Sequence, residues 1–208
     1  MTNKVSDKAK RDVAISLHKY GIMQFGEFTL KSGLQSPFYV DLRIVQSFPE
    51  ALHNITAIYS ELLEGLPQEV LLAGIPEAGT PLATAVGYHT NRPLIQPRAK
   101  LKAHGMGKSI EGAWKPGDKV AIIDDLITKG DSKLESLEQF KACDLDVVGF
   151  YLLLDRQMGG KQIVEKAGYS VDIAMTMAEA FTILAEAKKI STKQCDDMIA
   201  YMTEQAKG

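Results

Sequence analysis

The sequence predicts an α/β fold with a largely parallel central sheet flanked by helices. Two patterns carry that expectation. Short apolar runs at 70–75, 120–123, 147–154 and 171–175 alternate with segments of helical spacing, as strands do when helices cross over to join parallel neighbours. Several of these runs are near-continuously apolar, as strands covered by helices on both faces are. With 208 residues, 45% apolar and 24% charged, the chain reads as a single domain over 1–208 with a real core.

A first helix is expected over 7–20, burying Val13 and Leu17 and ended by Gly21. Residues 25–45 are rich in Gly, Ser and aromatics and read as extended pieces joined by turns. Pro49 opens a second helix, in which Leu52, Ile55, Tyr59, Leu62 and Leu63 keep helical spacing. A strand at 70–75, a helix at 81–90 and a short strand at 93–96 follow. Next come a strand at 120–123, a helix carrying Leu134, Leu137 and Phe140, and a strand at 147–154. A short helix around 163–167 leads to a strand at 171–175, and two helices close the chain. Thr176 with Glu179, and Ser191 with Gln194, have capping-box spacing at their starts.

Composition excludes several functions. Lys plus Arg total 24 against 26 Asp plus Glu, a net charge of −2, so no bulk attraction to nucleic acid is expected. No stretch approaches a membrane span, and residues 1–21 lack a signal-peptide core. Cys143 and Cys195 are isolated and suggest a reducing, cytoplasmic setting. His18, His53 and His89 have no companions at metal-ligand spacing.

The segment from Val120 to Ser132 is the most informative. Four apolar residues are followed by Asp124 and Asp125, which are expected at the strand's carboxyl end. A turn then carries Thr128, Gly130 and Ser132 into a helix. Ligands of open parallel sheets bind beyond strand carboxyl ends, and a helix amino terminus offers N–H groups to phosphate. Carboxylates accept hydrogen bonds from sugar hydroxyls. Acids for a diol and amides for an anion suit a phosphorylated ribose. The plainer alternative is a βα turn in which Ser132 and Glu135 form a capping box, which leaves the paired acids unexplained. A glycosidase pair is excluded, since adjacent side chains project apart and cannot flank one bond.

Four other segments carry chemistry. Arg98, Lys100, Lys102, His104 and Lys108 lie in a glycine-punctuated stretch ending Ile110-Glu111-Gly112. It is either a solvated basic loop or a cationic lid for a polyphosphate leaving group. Its Gly-Lys-Ser is not a nucleotide P-loop, because Lys102 stands where the earlier glycine belongs. The run Phe25-Gly-Glu-Phe-Thr-Leu-Lys31-Ser-Gly33, with Ser36-Pro-Phe38-Tyr39, is either a core hairpin or a flat aromatic surface for a heterocycle. In Leu154-Asp-Arg156-Gln-Met-Gly-Gly160, the arginine either meets a ligand carboxylate or pairs with Asp155. Residues 74–83, Gly-Ile-Pro-Glu-Ala-Gly-Thr-Pro-Leu-Ala, form a second strand–turn–helix of the anion-cradling kind.

In order and spacing these five motifs resemble orotate phosphoribosyltransferases, in particular the form fused to a decarboxylase in animals. The resemblance runs over roughly residues 20–205. It implies the type I phosphoribosyltransferase fold, with a small N-terminal hood mainly at 20–45 and a mobile catalytic loop at about 98–112. The implied reaction joins orotate to phosphoribosyl pyrophosphate (PRPP), giving orotidine 5′-phosphate and pyrophosphate in pyrimidine biosynthesis. Lys102 and His104 are then catalytic, with Asp124 and Asp125 on the ribose hydroxyls. PRPP is further contacted by Lys31, by Glu77, Ala78 and Gly79 through their backbone, by Arg98, and by Leu126, Ile127, Thr128, Lys129, Gly130, Asp131 and Ser132. Orotate meets Phe38, Tyr39, Thr128 and Arg156. Mg²⁺ is expected on substrate phosphates with no metal ligands from the protein, and a homodimer with shared active sites is implied. Two positions depart from the family pattern: Ala99 replaces a usual lysine, and Asp131 a small residue. Two rivals stand beside this reading, another base specificity and a non-catalytic PRPP sensor.

Overall fold

The computed structural model describes residues 5–29, 33, 35–99 and 109–206. Helix α1 (Asp7–Lys19) starts at Ser6, whose hydroxyl accepts from the Ala9 amide. Strands β1 (Met23–Thr29) and β2 (Gln35–Val40) form an antiparallel hairpin, and a 3₁₀ turn over Leu42–Ser47 leads into α2 (Pro49–Leu62). There follow β3 (Leu71–Gly74), α3 (Gly79–Thr90), β4 (Leu94–Pro97), β5 (Ile110–Glu111) and β6 (Lys119–Ile127). Helix α4 (Asp131–Lys141), β7 (Asp146–Asp155), α5 (Gly160–Lys166), β8 (Val171–Thr176), α6 (Met177–Glu186) and α7 (Thr192–Gln205) complete the order. Both expected capping boxes at α6 and α7 are formed, each worth about 1 kcal/mol.

The main sheet runs β5-β4-β3-β6-β7-β8, parallel throughout except for β5 against β4. Its near-continuous apolar strands are divided between two cores by the pleat. Val120, Ile122, Phe150 and Leu152 pack with Leu137 and Phe140 of α4 and Val164 of α5. Ala121, Ile123, Tyr151 and Leu153 join residues of α1, α2, α3, α6 and α7 on the other face. The runs are near-continuously apolar, with few polar positions such as Asp172, because both sides of the sheet are covered.

The structure differs from the sequence reading in one expectation, one alternative and one unforeseen element. β6 runs on to Ile127, so Asp124 and Asp125 lie within the strand and not beyond it; Asp124 pairs with Leu152 and Ile127 with Asp155. Ser132 is not a helix cap. Gly130 holds that position at φ +88, and no side chain caps α4. β5, two residues joined to the edge of β4, had no apolar run to announce it.

Candidate active site

From β3 the chain crosses to β4 on one side, and from β6 it crosses to β7 on the other. A crevice therefore opens beyond the carboxyl ends of β3 and β6, where ligands of such sheets bind. A cavity of about 580 Å³ occupies it, lined by Ile75, Pro76, Glu77 and Ala78 from the β3 turn. Its other wall is Asp124, Asp125, Leu126 and the stretch from Thr128 to Lys133, with Glu135. The two anion-cradling turns thus face each other across one space.

Close backbone approach holds the turns in place. A Cβ on Gly79 would stand 2.7 Å from Asp124 Oδ1 and 2.9 Å from the Ile123 carbonyl oxygen, so only glycine fits there. Gly130 takes its left-handed conformation against the start of α5. The Thr128 carbonyl accepts from the Gly160 amide, and the Ile127 carbonyl from the Arg156 amide, both at 3.0 Å. The Leu154–Gly160 segment therefore buttresses the 128–130 turn.

The two acids sit in different company. Asp124, 5% exposed, accepts from Lys133 Nζ at 2.6 Å, and its carbonyl accepts from the Tyr59 hydroxyl at 2.6 Å. Burial pushes the Asp124 carboxyl up, and Lys133 opposes that. Asp125 accepts from the Leu126 amide at 2.6 Å. Burial, then repulsion from Asp124, pushes its carboxyl up to about 6. Asp125 and Ala78 also line a second cavity of about 540 Å³ with Phe28, Tyr39, Asp41 and Arg43. The Arg43 guanidinium grips Asp41 at 2.7 and 2.8 Å, donates to the Tyr39 hydroxyl at 3.3 Å, and holds the Asp41 carboxyl below its usual range.

Tyr39 thus opens on a cavity that Asp125 shares. Phe38 faces inward: its ring is 1% exposed, edge-on to Phe181 and Tyr201, with the Arg156 guanidinium 5.5 Å from its centroid. Arg156 is half-buried, and its buried Nε has no hydrogen-bond partner among the described residues. Asp155 does not pair with it; that carboxyl accepts from the Gln157 amide at 2.7 Å. Burial pushes the guanidinium down. A desolvated cation without an anion is costly, and its fork geometry suits a carboxylate.

A third cavity, about 750 Å³, shares Pro76 and Glu77 with the first and is lined by Arg98 and Ala99. Arg98 donates from Nε and Nη2 to Glu111 Oε1, an acid the motif reading had left without a role. Lys31, Lys102 and His104 lie outside the described residues. Sequence reasoning also missed Lys133, whose acid partner is nine positions away, and Gln139. The Gln139 amide donates to the carbonyls of Arg98 at 3.1 Å and Ser109 at 2.7 Å, joining α4 to both roots of the basic segment. Asp131 and Ser132 are exposed in the first turn of α4, at the cavity wall.

No family model matches the chain. Among curated proteins it is 35% identical over 175 residues to an orotate phosphoribosyltransferase of Pyrococcus horikoshii, covering 84% of this chain and 94% of that one. It is 33% identical over 197 residues to uridine 5′-monophosphate synthase of Caenorhabditis elegans, covering 93% of this chain but 40% of the synthase. Among solved structures, Leishmania donovani UMP synthase superposes with a TM-score of 0.84 at 34% identity. That match covers 94% of this chain and 42% of the synthase. A Mycobacterium tuberculosis orotate phosphoribosyltransferase gives 0.72 at 27% identity, covering 83% and 98%. The chain therefore spans about two-fifths of the two synthases and nearly all of the two transferases. By fold, by the paired turns across the β3–β6 crevice and by this likeness, the chain belongs to the orotate phosphoribosyltransferase family, pentosyltransferases of pyrimidine biosynthesis.

Proposed function

We propose that the chain transfers the phosphoribosyl group of PRPP to orotate, with residues 1–208 acting as one phosphoribosyltransferase unit. The observation that carries the base specificity is Arg156, a half-buried cation whose Nε has no partner among the described residues. It is fixed through its own amide to the strand that bears the acid pair. Among common pyrimidine and purine acceptors, orotate brings the carboxylate such a cation lacks.

PRPP would lie across the β3–β6 crevice. The backbone of Thr128–Ser132, at the start of α4, suits the 5′-phosphate, and that of Glu77–Gly79, at the start of α3, suits the pyrophosphate. The acid pair of β6 would take the ribose hydroxyls. In the reaction the bond between ribose C1 and the pyrophosphate oxygen breaks. The orotate ring nitrogen then bonds to C1 and its proton is lost. Positive charge builds on the ribose and negative charge on the leaving group, so fixed charges serve the transition state best. Lys102 and His104, with Lys31 and Arg98, would answer the leaving group. Tyr39, braced by Arg43, offers a ring to the planar base.

Mg²⁺ fits this site as an ion carried on PRPP. The ion commonly keeps phosphate oxygens and water, and would add charge neutralisation at the pyrophosphate. We also propose a homodimer in which the basic segment of one subunit serves the partner's site. No described helix is long and apolar enough to cross a membrane, and the free thiols of Cys143 and Cys195 suit a reducing cytoplasm.

A base panel tests the specificity. Orotate should be preferred over uracil, which lacks the carboxylate, by about 30-fold to several thousandfold, the cost of leaving one partner of a buried charged hydrogen bond unpaired. Comparable use of uracil, adenine or hypoxanthine would assign the chain another base.

A further inference from the structure

Consecutive residues of a strand point to opposite faces of the sheet. In β6, Val120 and Ile122 face α4, while Ala121 and Ile123 face the opposite core. By that alternation Asp124 belongs to the α4 face and Asp125 to the other. The contacts agree: Asp124 meets Lys133 of α4, whereas Asp125 shares a cavity with Tyr39 and Arg43 of the hairpin side.

Lys133 stands in an unfavourable place for a lysine. It is 4% exposed and lies in the first turn of α4, where the helix dipole repels a cation and burial of an ion is costly. Two contacts compensate it: Asp124 Oδ2 at 2.6 Å and the Leu126 carbonyl at 2.7 Å. The other carboxylate oxygen, Oδ1, lies against Gly79 of the opposite turn. Asp124 is therefore wedged between α4 and the 75–79 turn. Beside the pair stand Asp125, which Arg43 in turn faces, and the Tyr59 hydroxyl of α2, and the cavity wall adds Glu77, Lys129, Asp131 and Glu135.

We infer that Lys133 is a positioning residue: it ties Asp124 down as a strut between the 128–132 and 75–79 turns, and leaves Asp125 as the acid free to take the ribose hydroxyls. This rests on the reading of the crevice as a PRPP site and divides the work of two acids that the resemblance treats alike.

The test compares wild type, Lys133→Met, Asp124→Asn and the double variant. It measures affinity for PRPP with Mg²⁺ by calorimetry, and Tm from pH 6 to 9. Lys133→Met should weaken PRPP binding by about tenfold in the wild type, the scale of a coupled pair, and by less than about twofold in Asp124→Asn. Its Tm should also fall more steeply as pH rises than that of the wild type. Without Lys133 nothing offsets the burial that pushes the Asp124 carboxyl up, and the stability linked to a raised pKa is lost as pH climbs through it. The double variant should lose the extra slope. Equal loss of affinity in both backgrounds would make Lys133 a direct phosphate ligand, and unchanged affinity would make it packing only; either overturns the inference. If wild type binds no PRPP, the functional reading fails by itself. Additive Tm effects would still refute the tie, and recovery in the double variant would still support it. Should Lys133→Met not fold, folding of the double variant supports the tie and its failure to fold refutes it.

Discussion

Replacing Arg156 with alanine separates a ligand-binding arginine from a structural one. Its Nε has no partner among the described residues, and its contact with the Phe38 ring is of a kind worth about 0.5–1 kcal/mol. Truncation also relieves the cost of a half-buried cation, so Tm should change by no more than a few degrees. Binding should behave oppositely. Losing one partner of a buried charged hydrogen bond costs on the order of 2–5 kcal/mol, about 30-fold to several thousandfold in kcat/KM for orotate. The assay is steady-state kinetics with each substrate varied in turn, together with thermal melts. The KM for PRPP should move little. Arg156→Lys should recover only part of the loss, because an ammonium cannot repeat the guanidinium fork. A PRPP KM that rises as far as orotate's, or a collapse in Tm, would mean that Arg156 supports the 127–130 turn through its side chain.

Asp125, whose carboxyl burial and Asp124 push up from an ordinary 3.8 to about 6, gives two signed outcomes. PRPP binding should be full above about pH 7 and weaken as pH falls through 6, an inflection absent from Asp125→Asn. In stability the sign reverses: the raised pKa favours the folded state below 3.8, and that benefit is gone above about 6. Chemical denaturation of Asp125→Asn across this window should therefore lack a decline of up to about 3 kcal/mol. Lys102→Ala should lower turnover by about 10²–10³-fold with little change in PRPP affinity, since it answers charge that develops in the transition state; unchanged turnover would assign that role elsewhere. Mixing inactive Lys102→Ala/His104→Ala with inactive Asp124→Asn/Asp125→Asn under subunit exchange should restore roughly a quarter of wild-type activity if sites are shared across a dimer, and none if each subunit is self-sufficient.

Local signals carried the fold well and long-range ones poorly. The capping boxes at Thr176 and Ser191 need only residues three apart, so they read directly from sequence and formed as read. β6 was cut short at Ile123 because two acids do not belong in a buried strand on their own. They remain there because Lys133 compensates one and a cavity receives the other. A lysine in a helix reads as solvent-facing by default, so nothing local marked its role. The alternative Ser132 cap did not form, because Gly130 in the left-handed region starts the helix without a side-chain acceptor. Phe38 was recognisable as part of an aromatic hairpin, but its inward turn is set by Phe181 and Tyr201, far along the chain. Arg156 stood out by its motif, whereas its missing partner could be seen only once Asp155 was found bonded to Gln157.

The most direct measurement is the ultraviolet absorbance of orotate incubated with the purified protein, PRPP and Mg²⁺, with the product identified by mass. Orotate should disappear only when all three are present, orotidine 5′-phosphate and pyrophosphate should appear in equal amounts, and Asp125→Asn should suppress the conversion at every pH. Orotate left untouched by a folded protein that binds PRPP would contradict the assignment and point to a PRPP sensor or to a different base.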